Sequence, residues 1–303
     1  WLPFGGFVRL LGEDEVDKDI LKNPRSFAAQ NVSKRVTVVI AGVLMNLFLS
    51  WIIFYIVIFG QNFKVIYPTR DLGVYVAEVE KGYPAESAGI QIGEKLVSIN
   101  DKKINDIEHA RSLIRDKEGV SLKLTLSDIE GDKVRSVNVT PKKLEGGDAL
   151  IGVAFSPLAF RHYETISEKT FSGVTYSWDL TKLTFKGLGE LLSDLFTGNF
   201  EKASQSVSGP VGLATVTNDI LSLGIQAIMP YLWFMGIISL TLAIFNVLPI
   251  PALDGGRLFF LVVEAVFGRR VHAQVERWVH TVGMVVLIAL TFLVLFSDIR
   301  KII

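Results

Sequence analysis

The chain has 303 residues, half of them hydrophobic, with 31 basic side chains, 31 acidic side chains and a mean hydropathy of +0.40. The balanced charge gives no electrostatic footprint for nucleic acid, so we expect no nucleic-acid partner. There is no cysteine, which excludes disulfides and cysteine-ligated metal.

Three segments are long and apolar enough to cross a bilayer, for which about 20 apolar residues suffice, and the only charged side chain in them is Asp254 near the end of the second. We predict transmembrane helices at residues 36–60, 229–256 and 278–297. A helix buried in a protein core is the alternative for each, but such helices are rarely uncharged over this length. Basic residues flank the first segment and connect the other two, which predicts that these flanks are cytosolic. They are Lys34, Arg35, Arg257, Arg269, Arg270 and Arg277.

The region between the first two segments would then lie outside the cytosol, and residues 70–145 have the mixed composition of a soluble domain. Residues 73–79 alternate like a strand, and so do residues 120–127 and 133–140. Residues 107–117 place their apolar side chains on one helical face. An α+β domain is therefore predicted between the membrane segments.

Gly82–Asp101 resembles the core of a PDZ domain, with Pro-Ala-x-x-Ala-Gly-Ile, a glycine and an acid, and an apolar strand closed by Asn-Asp. Glu94 stands where aspartate is more common. PDZ domains bind an extended peptide by adding it as a strand and capturing its terminal carboxylate. The resemblance implies a peptide C-terminus as partner, bound beside the helix at residues 107–117. The implied groove residues are Leu72, Gly73, Val74, Tyr75 and Val76. A PDZ domain that acts only as a rigid filter is an equal alternative.

Residues 146–228 are predicted to form an extracytoplasmic, juxtamembrane segment. Its apolar side chains between residues 164 and 200 recur at helical spacing. This helix could lie along the membrane surface. Packing under the PDZ domain is slightly favoured.

The second membrane segment ends in Asn246-Val-Leu-Pro-Ile-Pro-Ala-Leu-Asp-Gly-Gly256. A carboxylate at membrane depth is costly and tends to mark a functional site. The two prolines break the helix, and irregular backbone at this depth must line a cavity enclosed by protein. The alternative is that Asp254 caps a cytosolic helix that starts at Gly255 or Gly256.

The motif resembles the signature of site-2 proteases, the intramembrane zinc metalloproteases of peptidase family M50, and in particular the bacterial regulator of sigma-E protease type. Trp1–Gly12 resembles the membrane-associated β-hairpin loop of that family. Gly42 and Asn46 match its Gly-x-x-x-Asn element, and Ser208–Gly212 matches the segment before its third helix. The resemblance covers essentially the whole chain.

The resemblance implies a multi-pass α-helical membrane protein with an inserted α+β PDZ domain, in the inner membrane of a bacterial cell with the PDZ domain extracytoplasmic. Asp254 would ligate a single Zn²⁺. The other implied residues hold an unwound substrate strand, and they are Asn246, Pro249, Pro251, Gly42, Asn46, Gly5 and Gly6. The implied segments are a hairpin loop and cytosolic linker at 1–35, helices at 36–60, 229–256 and 278–297, the PDZ domain at 70–145, the segment at 146–228 and a cytosolic connection at 257–277.

The family takes its other two zinc ligands and its general base from His-Glu-x-x-His on a first helix. The four histidines of this chain, His109, His162, His272 and His280, include no pair at i, i+4. We therefore expect the His-Glu-x-x-His helix upstream of Trp1, no catalytic residue within these 303 residues, and no activity from them alone. For His280 a polar helix-packing role is favoured over metal binding.

The predicted function is regulated intramembrane proteolysis, with substrates such as single-span anti-sigma factors or signal-peptide remnants. The alternative is a non-catalytic membrane scaffold, a pseudoprotease that binds peptide tails through its PDZ domain. A transporter would also use broken helices, but the chain has no internal repeat.

Overall fold

The structure is a computed structural model, and it describes residues 11–12, 23–69, 73–129, 131–143, 148–199, 202, 207, 209–269 and 271–302. Four of the residues with a predicted role, Gly5, Gly6, Leu72 and Ser208, lie outside the described residues, as does most of the predicted β-hairpin loop.

The α-helices are α1 Val32–Gly60, α2 Pro84–Ser87, α3 Ile107–Arg115, α4 Ile166–Thr170, α5 Ser172–Phe196, α6 Pro210–Leu221, α7 Ile228–Val247, α8 Asp254–Phe267 and α9 Ala273–Ile302. The strands are β1 Lys64–Ile66, β2 Tyr75–Val79, β3 Lys95–Ile99, β4 Lys102–Lys103, β5 Leu122–Ser127, β6 Val134–Val139, β7 Lys142–Lys143, β8 Ala149–Leu150, β9 Val153–Ser156 and β10 Phe160–His162. Two compact units divide the chain, one of residues 1–54 with 184–303 and one of residues 55–183.

Three helices of the described chain are long and apolar enough to cross a membrane, over Val32–Gly60, Gly224–Val247 and Gln274–Asp298. Large apolar side chains project outward from them, as a lipid-facing surface requires; among these are Met45, Phe48, Val285 and Phe292. The first helix begins at Val32 rather than at the predicted residue 36, so Arg35 lies inside it.

Helices α1 and α7 approach closely at Gly236, where an added Cβ would lie 2.8 Å from a ring carbon of Phe54. Small residues at such positions allow membrane helices to pack closely. Close by, the Ser239 hydroxyl donates to the backbone carbonyl of Asn46 at 2.9 Å. A polar side chain within a membrane segment is therefore satisfied across the helix interface.

Helix α8 is tied to the start of α1 by a buried ion pair. The Arg35 guanidinium donates from Nη1 to Glu264 Oε2 at 3.0 Å and from Nη2 to Oε1 at 2.5 Å. Its Nε also donates to the Gln30 carbonyl at 3.1 Å. The two charged side chains are only 7% and 16% exposed, so this is a desolvated, bidentate pair.

The N-terminus of α6 receives its cap from α9. Gly209 precedes the helix and has no side chain with which to cap it. Instead, the buried Asp298 accepts hydrogen bonds from the backbone N–H groups of Gly209 at 2.9 Å and Gly212 at 3.0 Å. A carboxylate at a helix N-terminus satisfies unpaired donors and complements the helix dipole.

The inserted unit contains an antiparallel sheet in the order β6-β5-β3-β2-β9, with β4 paired to β3. Its core consists of alternate residues of these strands together with the inner faces of α2 and α3. Fully or nearly fully buried members are Val76, Ala85, Leu96, Ile99, Ala110, Leu122, Leu124 and Leu126. Since β9 completes this sheet, the predicted domain boundary at residue 145 is too early, and residues 153–156 belong to the domain rather than to a juxtamembrane segment.

Glu94, the departure from the common aspartate, has a structural reason. Its carboxylate accepts from Arg135 Nε at 2.6 Å and from Arg135 Nη2 at 2.8 Å, and it also accepts the backbone N–H of Gln91 at 2.8 Å. The Glu94 side chain is 12% exposed. Hydrogen bonding to Glu94 raises the pKa of the Arg135 guanidinium. This bidentate pair connects the turn before β3 to β6.

Helix α5 packs against a part of the unit that neither alternative considered for it had named. On one face the buried Tyr176 donates its hydroxyl to the Ile66 carbonyl at 3.0 Å, and buried Asp179 pairs with Arg161. These contacts are with the two-stranded sheet β1-β10 rather than with the PDZ sheet. Phe171, before α5, and Trp178, on its opposite face, are 60% and 64% exposed. The helix therefore packs on one side and leaves an apolar face uncovered on the other.

Helix α4, just before α5, begins with a capping box. Thr165 caps the helix through its hydroxyl, and the Glu168 carboxylate accepts the backbone N–H groups of Thr165 and Glu164. These hydrogen bonds, that from Thr165 first, lower the pKa of Glu168.

Candidate functional site

The segment between α7 and α8 is an irregular break between two helices. Helix α7 ends at Val247, and Leu248 is extended, as the residue before a proline usually is. Pro249 and Pro251 have no N–H to donate, so the helix cannot continue through them. The prediction of one helix over 229–256 is therefore wrong at its end: α7 stops at Val247, and Asp254 already belongs to α8.

Residues 250–253 form a tight turn in which the Leu253 N–H donates to the Ile250 carbonyl at 3.2 Å. Pro251 is its second residue, and Ala252, its third, has φ +76. A proline followed by a positive φ defines a type II turn, whose third residue is usually glycine. Alanine at this position is held in a conformation that side chains disfavour.

Two glycines at the start of α8 allow it to pack directly against this break. A Cβ on Gly255 would lie 2.0 Å from the Leu248 carbonyl oxygen, and one on Gly256 would lie 2.6 Å from the Ile250 carbonyl oxygen. Both glycines are buried. The Gly-Gly pair therefore serves close backbone packing, which fixes where the first turn of α8 lies relative to the end of α7.

Asp254 is the first residue of α8, and the N-cap position belongs to Leu253. The alternative in which Asp254 caps a helix starting at Gly255 or Gly256 is therefore wrong. Its half-buried side chain lies in the first helical turn, where the helix dipole favours a carboxylate. The break and the two glycines together set the position of this carboxylate.

The other predicted substrate residues are distributed over two helices. Asn246 is half-buried in the last turn of α7, Pro249 is exposed and Pro251 is half-buried. The carbonyl of Asn46 contacts Ser239, which precedes Asn246 by seven residues, a rise of about 10 Å. Gly42 lies one turn before Asn46, and a Cβ added to it would meet no atom within 4 Å. The described contacts thus place Asn46 against α7 but not beside the α7–α8 break.

His280 of α9 holds the break from the other side. Its Nδ1 accepts the backbone N–H of Ala252 at 3.0 Å, and its ring lies 5.9 Å from that of Phe260. Gly283, one turn later, is covered by Pro251: a Cβ there would lie 2.4 Å from Pro251 Cβ. A histidine within an apolar helix could have marked His280 from the sequence. Its hydrogen-bond partner is the backbone N–H of Ala252, which no sequence motif identifies.

The residues that the structure describes do not by themselves form a zinc site. Among them, no group of three or more histidine, aspartate or glutamate side chains lies together as a metal site would require. Asp254 offers oxygen donors, but a hydrolytic zinc site needs about three protein ligands. The described residues by themselves therefore do not fit a zinc ion.

The predicted peptide groove of the PDZ domain is not where the sequence suggested. Strand β2, which carries Tyr75 and Val76, pairs with β3 on one side and with β9 on the other. Val74, Tyr75 and Val76 are 3% exposed or less, and Gly73 is covered by Lys95. The assignment of the groove to Gly73–Val76 is therefore wrong, because neither edge of β2 is open.

A groove of about 690 Å³ lies instead between α3 and the segment that leads through β8 into β9. Its lining includes Ile114 and Arg115 from the helix and Leu150–Phe155 from the segment. Strand β9 is the last in the described order of the sheet. Gly152 has φ +79, and a Cβ there would lie 2.1 Å from the Tyr83 side chain, so this bend requires glycine. Arg115 pairs with Asp148 at 3.0 Å at the rim.

The chain was compared with protein-family models, curated proteins and solved structures. Residues 1–290 match the family model described as peptidase family M50. Zinc metalloprotease RasP of Geobacillus kaustophilus is 34% identical over 291 residues, which are 95% of this chain and 64% of the relative. A Nostoc protein, also named as a zinc metalloprotease, is 30% identical over 98% of this chain and 80% of its own length.

Among solved structures, the PDZ domain of an SdrC-like protein from Listeria monocytogenes is 21% identical and covers 29% of this chain and 92% of its own, with a TM-score of 0.26. The predicted fold class, a multi-pass helical membrane protein with an inserted PDZ domain, is confirmed by the family match, the three candidate membrane helices and the sheet of the inserted unit. The family model spans nearly the whole chain, and relatives named as zinc metalloproteases match over almost all of it. The chain belongs to peptidase family M50, the site-2 proteases.

Proposed function

We propose that this chain is the part of an intramembrane zinc metalloprotease that receives and holds a single-span membrane substrate. The observation that carries the proposal is the α7–α8 break, in which two prolines and a glycine pair bring a carboxylate to the end of an apolar helix. Asp254 is half-buried in the first turn of α8, directly after this break, and an ionisable side chain beside a membrane-spanning helix tends to mark a functional site.

The break also supplies what an unwound substrate strand would need. A substrate helix hides its carbonyls, so it must open before its peptide bond is attacked, and each unpaired backbone group in lipid costs several kcal/mol, by order of magnitude. Leu248 is extended, and the N–H groups of Leu248 and Ile250 are already bonded within the segment. In this proposal the half-buried Asn246 amide, in the last turn of α7, pairs with the opened strand, and the two prolines keep the chain beside it out of a helix.

Asp254 supplies one oxygen ligand to the zinc ion in this proposal. In this proposal the remaining ligands and the general base would be supplied by a His-Glu-x-x-His sequence, which these 303 residues do not contain. The chain alone is then inactive. The proposal keeps Asp254 near the cytosolic face and the PDZ domain on the extracytoplasmic side of a bacterial inner membrane, and the basic residues between α7 and α9 support this orientation.

The experiment compares Asp254→Asn with Asp219→Asn in the protein that carries the His-Glu-x-x-His sequence. Asp219 is an exposed aspartate near the end of α6 and serves as the matched control. We expect Asp254→Asn to abolish cleavage of a single-span substrate and to lower zinc content, because one of three protein ligands is lost. Asp219→Asn should retain both. Normal cleavage and zinc content in Asp254→Asn would refute the ligand role, whereas no cleavage and no zinc in the unsubstituted protein would favour the non-catalytic scaffold.

A second proposal concerns the PDZ domain and its partner. We propose that an extended peptide adds to the open edge of β9, with its last apolar side chain between Ile114 and the Leu150–Gly152 segment. Arg115 would exchange Asp148 for the terminal carboxylate, since the exposed pair that it makes now is weak.

The test measures binding of fluorescent peptides with an apolar last residue to the whole chain in detergent micelles. We expect a free C-terminus to bind more tightly than an amidated one, and Arg115→Ala to weaken binding about tenfold. Lys117→Ala, an exposed lysine near the end of the same helix, is the control and should bind normally. Equal binding of free and amidated peptides, or none, would leave the domain as a rigid filter.

A further inference from the structure

The turn that precedes Asp254 has a conformation that its own sequence does not favour. Pro251 at the second position suits turns of type I and type II equally, and alanine at the third position favours type I. Ala252 nevertheless has φ +76, which requires type II. Something outside the turn must therefore select this conformation.

Type I and type II turns differ by the flip of their central peptide group, here the bond between Pro251 and Ala252. In the observed turn, the N–H of this group donates to His280 Nδ1 at 3.0 Å. A flip would turn that N–H away from the imidazole. It would also turn the Pro251 carbonyl away from Gly283. In the observed turn this carbonyl oxygen lies 2.8 Å from the position that a Cβ on Gly283 would occupy.

His280 and Gly283 are three residues apart in α9, so they lie on one face of the helix. Histidine supplies an acceptor and glycine supplies space, and both act on the same peptide group. Because Nδ1 accepts this hydrogen bond, the neutral ring carries its proton on Nε2. The face of α9 formed by His280 and Gly283 therefore binds the Pro251–Ala252 peptide group in one orientation.

We infer that His280 is a positioning residue: it selects the type II turn and thereby sets the direction in which Asp254 leaves the α7–α8 break. Only two residues separate the Pro251–Ala252 peptide from Asp254, and Gly255 leaves no room for a compensating shift. Its consequence for catalysis rests on the proposed function, whereas the conformational role does not.

The conformational role can be measured without any activity, because the chain has no cysteine. Leu253→Cys places a single half-buried thiol at the end of the turn, and its rate of modification by a maleimide reports how often the turn opens. We expect His280→Leu to raise this rate on the order of tenfold, since it removes the acceptor of a partly buried N–H. His280→Asn should stay within about twofold, because its Oδ1 can occupy the place of Nδ1. Thr281→Leu, at an exposed polar residue next to His280 in α9, is the control and should not change the rate.

A second substitution separates the turn from general damage to the helix. Ala252→Gly should return the His280→Leu rate to near its starting value, because glycine adopts a positive φ without strain. Equal increases in His280→Leu and His280→Asn would overturn the inference, since His280 would then only fill space. No increase in His280→Leu, or no rescue by Ala252→Gly, would overturn it as well.

Cleavage assays on the same variants distinguish this inference from the proposed function. If Asp254 is a ligand, cleavage should fall in His280→Leu and recover with Ala252→Gly, in parallel with thiol protection. If the labelling follows the expected order but cleavage is unaffected by any of these variants, the positioning of the turn stands and the protease assignment of Asp254 fails.

Discussion

Breaking the buried ion pair between Arg35 and Glu264 should destabilise the protein more than breaking any other polar contact described in the unit of residues 1–54 and 184–303. We expect Arg35→Ala to lower the free energy of unfolding by about 3–5 kcal/mol, the usual cost of removing one member of a buried ion pair. The geometry supports the upper part of that range. The pair is bidentate at 2.5 and 3.0 Å, its side chains are 7% and 16% exposed, and the Gln30 carbonyl loses its donor too.

The measurement is unfolding of the protein in mixed micelles with increasing denaturing detergent, followed by tryptophan fluorescence. Lys34→Ala is the matched control, because Lys34 is the adjacent, exposed basic residue and contacts only Gln30 at 3.4 Å among the hydrogen bonds described. A long, exposed hydrogen bond of this kind contributes at most about 1 kcal/mol. Equal shifts in Arg35→Ala and Lys34→Ala would refute the claim that the pair is desolvated.

A double substitution tests the cause. Arg35→Met combined with Glu264→Leu removes both charges and keeps much of the side-chain volume, and buried pairs replaced in this way often lose little stability or gain some. We therefore expect the double variant to recover most of what Arg35→Ala loses. A double variant that is less stable than Arg35→Ala would show that the charges themselves, rather than the cost of isolating one of them, hold α8 to α1.

Three further predictions follow from the packing and the ion pairs. Gly42→Ala should change the unfolding free energy by less than about 0.5 kcal/mol, since its Cβ meets nothing within 4 Å. Gly255→Ala should lower it by about 1–3 kcal/mol or more, because its Cβ would lie 2.0 Å from a carbonyl oxygen. The same detergent titration compares the two variants. Glu94→Gln should weaken the inserted domain by about 1–2 kcal/mol through its hydrogen bonds to Arg135, seen as faster amide exchange in β6; unchanged exchange would contradict this. The lowered pKa of Glu168 means that its cap stabilises α4 fully above its ordinary value of 4.5 and is lost as pH falls through the lower folded value; Glu168→Gln should remove that part of the acid dependence of α4 amide exchange, and an identical acid profile in the variant would contradict the assignment.

The features that the sequence predicted are those set by local chemistry. Uncharged stretches of about 20 residues predict the membrane helices, because no other environment accepts them readily. The two prolines predict the break after α7, because each removes a backbone donor. The sequence did not predict that α7 ends at Val247 rather than at residue 256. This boundary depends on where α8 begins, which is set by the packing of Gly255 and Gly256.

The features that the sequence did not predict depend on partners far away in the chain. The alternation of residues 73–79 identifies a strand but does not say which of its edges are occupied. The edge assigned to a peptide is taken by β9, whose residues follow about 75 positions later. The apolar run Leu150-Ile-Gly-Val-Ala-Phe155, bent at Gly152, was a readable strand signal, and it would have moved both the domain boundary and the groove.

Arg35 illustrates the same limit in the membrane unit. Beside Lys34 it reads as part of a positive flank, and its charge was assigned to the orientation of the first helix alone. The structure adds that it is buried against Glu264, which lies 229 residues later. No periodicity or motif marks such a pair, because each member is compatible with an exposed helix end.

The cap that Asp298 provides for α6 has a consequence for the order in which the protein is made. Helix α6 emerges from the ribosome 86 to 89 residues before the carboxylate that accepts the N–H groups of its first turn. Until α9 is inserted, those donors have only water, lipid headgroups or an insertion chaperone to bind. A chain released before residue 298 would keep this end unfinished and visible to membrane quality-control proteases. The first turn of α6 therefore reaches its final form only together with α9, although the two helices are far apart in the chain.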